Sequence, residues 1–206
     1  MSDVTGFDNV PPTTLADILG REQVMDCGIR PLWPSPRVAG PAFTVRCPPG
    51  DNLMLHAAVH RAQPGSVIVV ESGDLDYALA GGNVCAIAQR RGVAAFVADG
   101  VIRDLAEVRA MGFPVFARGV IPIPGAKTEA RPLNVRVRCG GVDVNAGDVV
   151  VADEEGVVVV PHGRQEEVRL AAEARLAKEA AESLDAWEAA HRARINRILC
   201  DKGFED

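Results

Sequence analysis

Residues 92–104, GVAAFVADGVIRD, join an unbroken apolar run to a charged ending. The run predicts a strand at 93–99 that is buried on both faces, as in a parallel sheet. Arg103 and Asp104 lie just beyond the end of this strand. Because the ligands of parallel α/β sheets collect at the carboxyl ends of the strands, their position makes them candidates for a functional site.

Strands and helices alternate on both sides of this segment. Upstream, SVIVVE at 66–71 is a second continuous apolar run, and a helix from about 83 to 91 stops at Gly92. Downstream, a helix at 104–111 precedes a strand at 114–117. This alternation predicts parallel βαβ units and therefore an α/β fold.

The flanking regions add helices at both ends and short strands between them. We predict an N-terminal helix within 11–28 and a proline-rich extended loop at 121–133. The other predicted elements are a strand at 42–47, a helix at 53–62, strands at 135–138, 142–144, 149–152 and 157–160, and a long helix or helix pair at 164–200. The chain is therefore expected to form an α/β domain over residues 1–163 and a C-terminal helical extension over 164–206, which packs on that domain or on a neighbouring subunit.

The charge of the chain argues against nucleic acids and membranes as partners. Its formal net charge is −6 and it has no run of five basic residues, so neither a nucleic-acid interface nor a polybasic membrane patch is expected. The five cysteines form no CxxC pair, which is typical of reduced thiols in a cytosolic protein. No apolar run approaches the roughly 18 residues of a membrane span. We predict a soluble cytoplasmic protein.

The segment Gly81-Gly82-Asn83 precedes a predicted helix and is a candidate anion site. A helix N-terminus presents unpaired N–H donors and a partial positive charge, and glycines let a ligand approach the backbone closely. The alternative is a tight turn in which Asn83 is simply the N-cap of the helix. Spacing alone does not choose between these interpretations.

Arg103 and Asp104 also allow two interpretations. Arginine holds a carboxylate through two parallel hydrogen bonds. Aspartate is a hard oxygen ligand for Mg²⁺ or Mn²⁺, and such ions often take only one or two protein carboxylates. The alternative is an ordinary helix start, in which Asp104 complements the helix dipole and Arg103 lies in solvent. The position after a buried strand favours the functional interpretation.

Several other polar groups are interpreted as structural. His56 and His60 are spaced i, i+4 on a predicted helix, but no HExxH pattern or third ligand accompanies them, so we predict ordinary surface or interface histidines. Asp74 and Asp76 predict a solvated acidic loop, with a loop that reaches the site as the alternative. The DEEG sequence at 153–156 is interpreted as a charged hairpin turn. None of the cysteines has a context that marks it as a nucleophile.

Together these features resemble the RraA-like family. It includes the class II 4-hydroxy-4-methyl-2-oxoglutarate/4-carboxy-4-hydroxy-2-oxoadipate aldolases, the regulators of ribonuclease activity, and proteins once mislabelled as menaquinone methyltransferases. The segments that carry the resemblance are Gly50-Asp51-Asn52-Leu53, Gly81-Gly82-Asn83, 92–104, 112–117 and 142–161. Their ordered combination is specific to the family but not to one function within it.

The resemblance implies a swivelling β/β/α fold, assembled as a homotrimer or a homohexamer with sites between subunits. In the enzymes it implies that Asp104 is the metal ligand, that Arg103 binds the carboxylate of pyruvate or oxaloacetate, and that Gly81–Val84 binds the substrate through backbone amides. The metal would be Mg²⁺ or Mn²⁺, and it would stabilise the charge that develops when a carbon–carbon bond of the 2-oxo acid breaks.

One position departs from the family pattern. Aldolases of the family that look most similar carry an acidic residue 21 positions before the arginine, and here that position is Gly82. A general base contributes about 10²–10⁴-fold to catalysis. Its absence therefore affects retro-aldol cleavage more than decarboxylation of oxaloacetate, which removes no hydroxyl proton. A carboxylate from a neighbouring subunit's C-terminal helix is one replacement that the resemblance allows.

We therefore predict a metal-dependent lyase that forms pyruvate from a small 2-oxo dicarboxylic acid. It would act as a class II 4-hydroxy-4-methyl-2-oxoglutarate aldolase, an oxaloacetate decarboxylase, or both. The alternative is a non-catalytic regulator that binds ribonuclease E. A methyltransferase is disfavoured, because no GxGxxG fingerprint follows the first strand with an acidic residue about 20 positions further on.

Overall fold

The computed structural model describes residues 6–204. The strands are β1 (Arg30–Pro31), β2 (Val38–Cys47), β3 (Val67–Ser72), β4 (Ala95–Ile102), β5 (Val115–Val120), β6 (Val137–Cys139), β7 (Val142–Val144), β8 (Val149–Asp153) and β9 (Gly156–Val160). The helices are α1 (Pro12–Leu19), α2 (Leu53–Val59), α3 (Gly82–Arg90), α4 (Leu105–Met111), α5 (Gln165–Ala181) and α6 (Leu184–Asp201). Seven strands form one sheet in the order β1-β5-β4-β3-β2-β8-β9, and β6 and β7 form a separate hairpin.

The centre of the sheet is parallel, as the sequence predicts. Strands β2 to β5 pair side by side in parallel, with Val69 opposite Val97 and Val97 opposite Phe116. Helices α2, α3 and α4 connect these strands and pack on one face of the sheet, where Leu55 and Val108 are among the buried side chains. The predicted α/β fold class is confirmed.

Strand β4 is longer than the sequence predicts. Its pairing with β5 resumes after a register shift, so the strand continues to Ile102. Asp99 therefore lies inside the sheet, where its carboxylate accepts the N–H of Gly140 at 2.8 Å and pairs with Arg118. As a consequence the strand ends immediately before Arg103.

The other face of the sheet is covered by β-structure. Strands β8 and β9 form a hairpin with Glu154 and Glu155 in its turn, as predicted, and β8 pairs antiparallel with β2. The chain before β1 bridges β9 between Val24 and Val158, so the sheet nearly closes on itself. The β6–β7 hairpin packs on this face in a second apolar cluster.

The predicted short N-terminal helix occupies the first part of residues 11–28. Helix α1 ends at Leu19, because Gly20 adopts a positive φ of 86° that breaks the helix. The segment after it forms a single 3₁₀ turn, Arg21–Gln23, and then runs irregularly towards β1.

The C-terminal extension is a pair of helices. They separate at Glu182 and Ser183, where the Ser183 hydroxyl accepts the N–H of Ala186 at 3.2 Å and caps α6. Helix α5 packs against α1 through buried Val168 and Ala172. Helix α6 buries no side chain within the described residues, and its packing on a neighbouring subunit stays a prediction.

None of the helices within residues 6–204 combines the length and the apolar character that crossing a membrane requires.

Candidate active site

Five of the six predicted site residues, all except Gly82, line one small cleft. One side of the cleft is formed by the N-terminus of α3 and the junction of β4 with α4. The other side is formed by the N-terminus of α2 and the loop after β5. The volume of the cleft is about 80 Å³. One wall contains Gly81, Asn83, Val84, Arg103 and Asp104. The two segments that the sequence singled out are therefore adjacent in space.

Asp104 is fixed by its backbone and by α3. It is the N-cap of α4 and has a left-handed conformation, with φ 58° and ψ 40°, which aspartate tolerates better than most residues. Its Oδ2 atom accepts the N–H of Gly82 at 3.0 Å. A Cβ on Gly81 would lie 2.3 Å from the same oxygen, so glycine at 81 permits the close approach. The carboxylate is positioned by its neighbours, which is more than an ordinary helix start requires.

The N-terminus of α3 keeps two donors for a ligand. The N-cap is Gly81, so the interpretation of Asn83 as the cap is wrong. The N–H of Gly82 is taken by Asp104. The N–H groups of Asn83 and Val84 lie in the first turn of α3, where the helix provides no carbonyl acceptor for them. Both residues line the cleft.

Gly82 itself turns away from the cleft. A Cβ at this position would lie 2.2 Å from Oε2 of Glu107, a residue in the first turn of α4. Glycine at position 82 thus leaves room for the exposed carboxylate of Glu107, which belongs to α4. Glu107 is not among the residues that the sequence indicated, although its i, i+3 spacing from Asp104 places the two on one side of the helix.

Arg103 extends from the end of β4 towards the cleft. Its N–H donates to the carbonyl of Ala80 at 2.9 Å, which ties the two site segments together. Its Nε atom lies 3.5 Å from Oδ2 of Asp104, and 40% of the side chain is exposed. The two terminal nitrogens of its guanidinium have no hydrogen-bond partner among residues 6–204. They can therefore bind an incoming carboxylate as a planar fork.

Asn52 lines the cleft from the start of α2 and is not among the predicted site residues. The residue is 3% exposed, and its Nδ2 atom donates to the carbonyl of Ala78 at 3.1 Å. Because a carbonyl only accepts, this bond fixes the orientation of the amide. The Oδ1 atom is left buried without a partner in the described part of the chain, which costs about 1–3 kcal/mol.

His56 lies in the same cleft, one turn further along α2. Burial lowers the pKa of His56, and Lys127 lowers it further because a nearby positive charge disfavours the imidazolium. The imidazole is therefore neutral near pH 7 and can accept a proton. His60 lies at a separate groove beside Arg61. The two histidines therefore do not share a site, and only His56 lines the cleft.

Lys127 reaches the cleft from the loop after β5, and Asp51 fixes that loop. The carbonyl of Ala126 accepts the N–H of Asn52 at 2.9 Å. On the other side of the lysine, the Asp51 carboxylate accepts both the N–H and the hydroxyl of Thr128. Burial alone would raise the pKa of Asp51, but the hydrogen bonds outweigh it and lower the pKa to about 2. The backbone that carries Lys127 is therefore pinned on both sides.

This Asp51 network should make the folded state sensitive to acid. The folded pKa of about 2 lies below the ordinary value of 3.8, so the stabilisation is complete above about pH 4 and is lost as the pH falls towards 2. Asp51→Asn should lower the free energy of unfolding by about 2 kcal/mol at pH 7 and by much less at pH 2, as measured by urea unfolding. The exposed control Asp76→Asn should change neither value. An equal loss for Asp51→Asn at both pH values would contradict this account.

The remaining candidates have structural roles or lie elsewhere. Asp74 accepts the N–H groups of Asp76 and Tyr77 and shapes its own loop, and neither aspartate lines the cleft. Burial raises the pKa of Cys47 to about 11 and that of Cys85 to about 12. Thiols with such pKa values are poor nucleophiles.

The donor set suits a hard divalent cation. One oxygen of Asp104 is held by Gly82, and 35% of the side chain is exposed. Within the described range there is no group of three or more His, Cys, Asp or Glu side chains that could hold a metal. Mg²⁺ and Mn²⁺ do not need such a group, because they keep several waters and take oxygens from the substrate. The residues present therefore fit such an ion at Asp104, and this role stays a prediction.

Comparison with known proteins identifies the family. Residues 12–159 match the sequence profile of the RraA-like family, described as Aldolase/RraA. The chain belongs to the RraA-like family. One relative, from Halalkalibacterium halodurans, carries the provisional name 4-hydroxy-4-methyl-2-oxoglutarate aldolase. It is 39% identical over 202 residues, which make up 98% of this chain and 92% of the relative.

Solved structures of RraA-like proteins share the fold. RraAS2 from Streptomyces coelicolor, an unusual member of the RNase ES inhibitor RraA protein family, gives a TM-score of 0.72 at 30% identity and covers 93% of this chain and 96% of its own. The RNA-processing inhibitor RraA from Thermus thermophilus gives a TM-score of 0.68 at 28% identity, over 74% of this chain and 93% of its own. The predicted RraA-like fold is confirmed, and the names of the relatives point to both lyases and ribonuclease inhibitors.

Proposed function

We propose that this RraA-like protein is a pyruvate-forming lyase that depends on Mg²⁺ or Mn²⁺ and acts as a homotrimer or homohexamer in the cytoplasm. Its substrate would be a small 2-oxo dicarboxylic acid, either 4-hydroxy-4-methyl-2-oxoglutarate or oxaloacetate. The observation that carries the proposal is the cleft in which Arg103, Asp104 and the first turn of α3 converge. The relative named as an aldolase supports the same reaction class.

The 2-oxo acid end of the substrate would bind between β4 and α3. The guanidinium of Arg103 would hold the C1 carboxylate through two parallel hydrogen bonds. The N–H groups of Asn83 and Val84 and the positive end of the α3 dipole favour an anion at the same place. These contacts orient the bond between C3 and C4 for cleavage.

Asp104 would hold the divalent ion. That ion would supply Lewis-acid stabilisation of the negative charge that develops on the 2-oxo oxygen as the bond between C3 and C4 breaks. The chain supports this role by fixing the carboxylate with the N–H of Gly82 and by keeping Gly81 free of a side chain. Such supporting contacts orient a metal ligand before the ion arrives.

Retro-aldol cleavage also needs a base for the C4 hydroxyl. As the bond between C3 and C4 breaks, its electron pair goes to C3, the C4 oxygen becomes a carbonyl, and the hydroxyl proton must leave. The neutral imidazole of His56, which lines the cleft, would take that proton. His56 would thus act in place of the carboxylate that position 82 lacks. Decarboxylation of oxaloacetate requires no such proton transfer.

Removal of the metal tests the reaction directly. With Mg²⁺ or Mn²⁺, the purified protein should release pyruvate from one or both substrates faster than the metal ion alone, measured with a coupled lactate dehydrogenase assay. EDTA should stop the release and added Mn²⁺ should restore it, because the charge on the 2-oxo oxygen is then stabilised again. Release of pyruvate from neither substrate, or at an unchanged rate in EDTA, would contradict the proposal.

A second candidate function is inhibition of a ribonuclease E. The similarity to the RNA-processing inhibitor RraA of Thermus thermophilus and to RraAS2 of Streptomyces coelicolor supports it. Helix α6 also exposes the apolar side chains of Leu184, Trp187 and Ile198, which offer a binding surface. A pull-down with ribonuclease E and the Arg103→Ala variant separates the two functions, since inhibition through a surface should survive the loss of the cleft arginine.

A further inference from the structure

We propose that Lys127 binds the distal carboxylate of the substrate and makes the cleft selective for dicarboxylic over monocarboxylic 2-oxo acids. The inference rests on the proposed function, because it assumes that Arg103 holds the C1 carboxylate of a 2-oxo acid. It assigns a specificity-determining role to a residue that sequence analysis did not select.

The position of Lys127 places a positive charge at the cleft. The residue lines the cleft together with Arg103, but it comes from the loop after β5 instead of from the end of β4. Its charge is close enough to His56 to disfavour the imidazolium there. Glu129, the nearest acidic residue along the chain, pairs with Arg131 instead. Within residues 6–204, Lys127 forms no ion pair, so its charge is available to a ligand.

The backbone on both sides of Lys127 is held in place before a ligand arrives. Ala126 donates to the carbonyl of Gly50 at 2.7 Å and accepts the N–H of Asn52 at 2.9 Å. Thr128 donates twice to the buried Asp51 carboxylate. Only the lysine side chain must become ordered on binding, which keeps the entropic cost of the contact small.

The charges around the cleft match a doubly charged ligand. Arg103 and Lys127 contribute two positive charges and Asp104 one negative charge, while His56 is neutral near pH 7. A divalent cation at Asp104 would add two further positive charges. A dicarboxylate neutralises two of these positive charges, and a monocarboxylate neutralises only one. Charges that are desolvated without a partner are costly, so the dicarboxylate is the better match.

Two unreactive ligands of equal length isolate the distal carboxylate. Both 2-oxoglutarate and 2-oxopentanoate have five carbons and a 2-oxo acid group, and only the first has a carboxylate at C5. Isothermal titration calorimetry with Mg²⁺ should show tighter binding of 2-oxoglutarate to the wild type. Lys127→Met should raise its dissociation constant about tenfold, which is typical of losing one hydrogen bond to a charged group. Binding of 2-oxopentanoate should change less than twofold.

Further variants separate recognition from a structural effect. Lys127→Arg should recover most of the affinity for 2-oxoglutarate, since it restores the positive charge. Lys178→Met, on the exposed surface of α5, should leave both affinities unchanged. In turnover of 4-hydroxy-4-methyl-2-oxoglutarate, Lys127→Met should raise KM about tenfold with little change in kcat, because the distal carboxylate of this substrate keeps its charge in the ground and transition states.

The outcomes distinguish this inference from the proposed reaction. Equal losses for the two ligands, no loss for either, or a wild type that does not prefer 2-oxoglutarate would overturn the role of Lys127. If the ligands are discriminated as expected but no substrate releases pyruvate, the recognition of dicarboxylates stands and the proposed lyase reaction fails. Turnover of oxaloacetate with no discrimination leaves the reaction intact and refutes the assignment of Lys127.

Discussion

Asp104→Asn is expected to abolish pyruvate release, with kcat/KM reduced by about 10³-fold or more, because Lewis-acid stabilisation is worth several kcal/mol. Asparagine keeps the size of the side chain, an oxygen that can accept the N–H of Gly82, and tolerance of the left-handed backbone. The substitution removes only the negative charge that a hard divalent ion requires. The rise in Tm on adding Mn²⁺, measured by differential scanning fluorimetry, should be lost together with the activity.

Two further variants define what the Asp104 result means. Asp76→Asn changes an exposed aspartate outside the cleft and should alter neither activity nor the metal-dependent shift in Tm. Asp104→Ala should in addition lower the Tm of the metal-free protein, because it leaves the N–H of Gly82 without its partner. A wild-type Tm shift in Asp104→Asn would remove Asp104 from its assigned role, whatever the activity.

Arg103→Ala is expected to lower kcat/KM by about 10³-fold, and Arg103→Lys by about 10²-fold. A bidentate arginine makes two charge-assisted hydrogen bonds to a carboxylate, each worth about 1.5–3 kcal/mol, and a lysine ammonium replaces them with a single point charge. Steady-state kinetics with oxaloacetate and Mg²⁺ measure both losses. The metal-dependent rise in Tm should persist in both variants, because Asp104 remains in place.

The matched control is Arg109→Lys, which changes an exposed arginine on α4, the helix that follows the site. It should keep wild-type kinetics. Arg103→Ala with an unchanged KM and kcat would show that the substrate carboxylate binds elsewhere. Loss of the metal-dependent Tm shift in Arg103→Ala would indicate that the arginine mainly orients Asp104.

The sequence predicts the central sheet well, because its signals are local. The apolar runs at 66–71 and 93–99 are typical of strands buried on both faces, and glycines at 92 and 112 follow helices α3 and α4. The DEEG turn at 153–156 predicts the hairpin that the structure contains. The errors in the predicted sheet concern where strands begin and end. Strand β4 continues to Ile102 because pairing with β5 resumes after a register shift, and such pairing between distant residues leaves no local pattern.

The sequence also predicted about half of the residues that line the candidate site. Arg103 and Asp104 follow a buried strand, and a glycine pair opens the next helix along the sheet, so topology predicts that they meet. The sequence did not indicate Asn52, His56 or Lys127, which line the same cleft. On a helix or in a loop each resembles an ordinary surface polar residue, since burial and an unpaired acceptor are properties of the folded chain.

By itself, then, the sequence determined the family, the parallel sheet and the wall of the cleft that contains the glycine turn, Arg103 and Asp104. Only the tertiary structure decided that Gly82 turns towards Glu107 and away from the cleft, and that the α2 residues and Lys127 form the opposite wall. The physical reason is the separation along the chain over which each kind of signal acts. Apolar periodicity and turn residues act over a few positions, whereas the second wall depends on the buried Asp51 carboxylate, which joins the start of α2 to a loop 77 residues further along the chain.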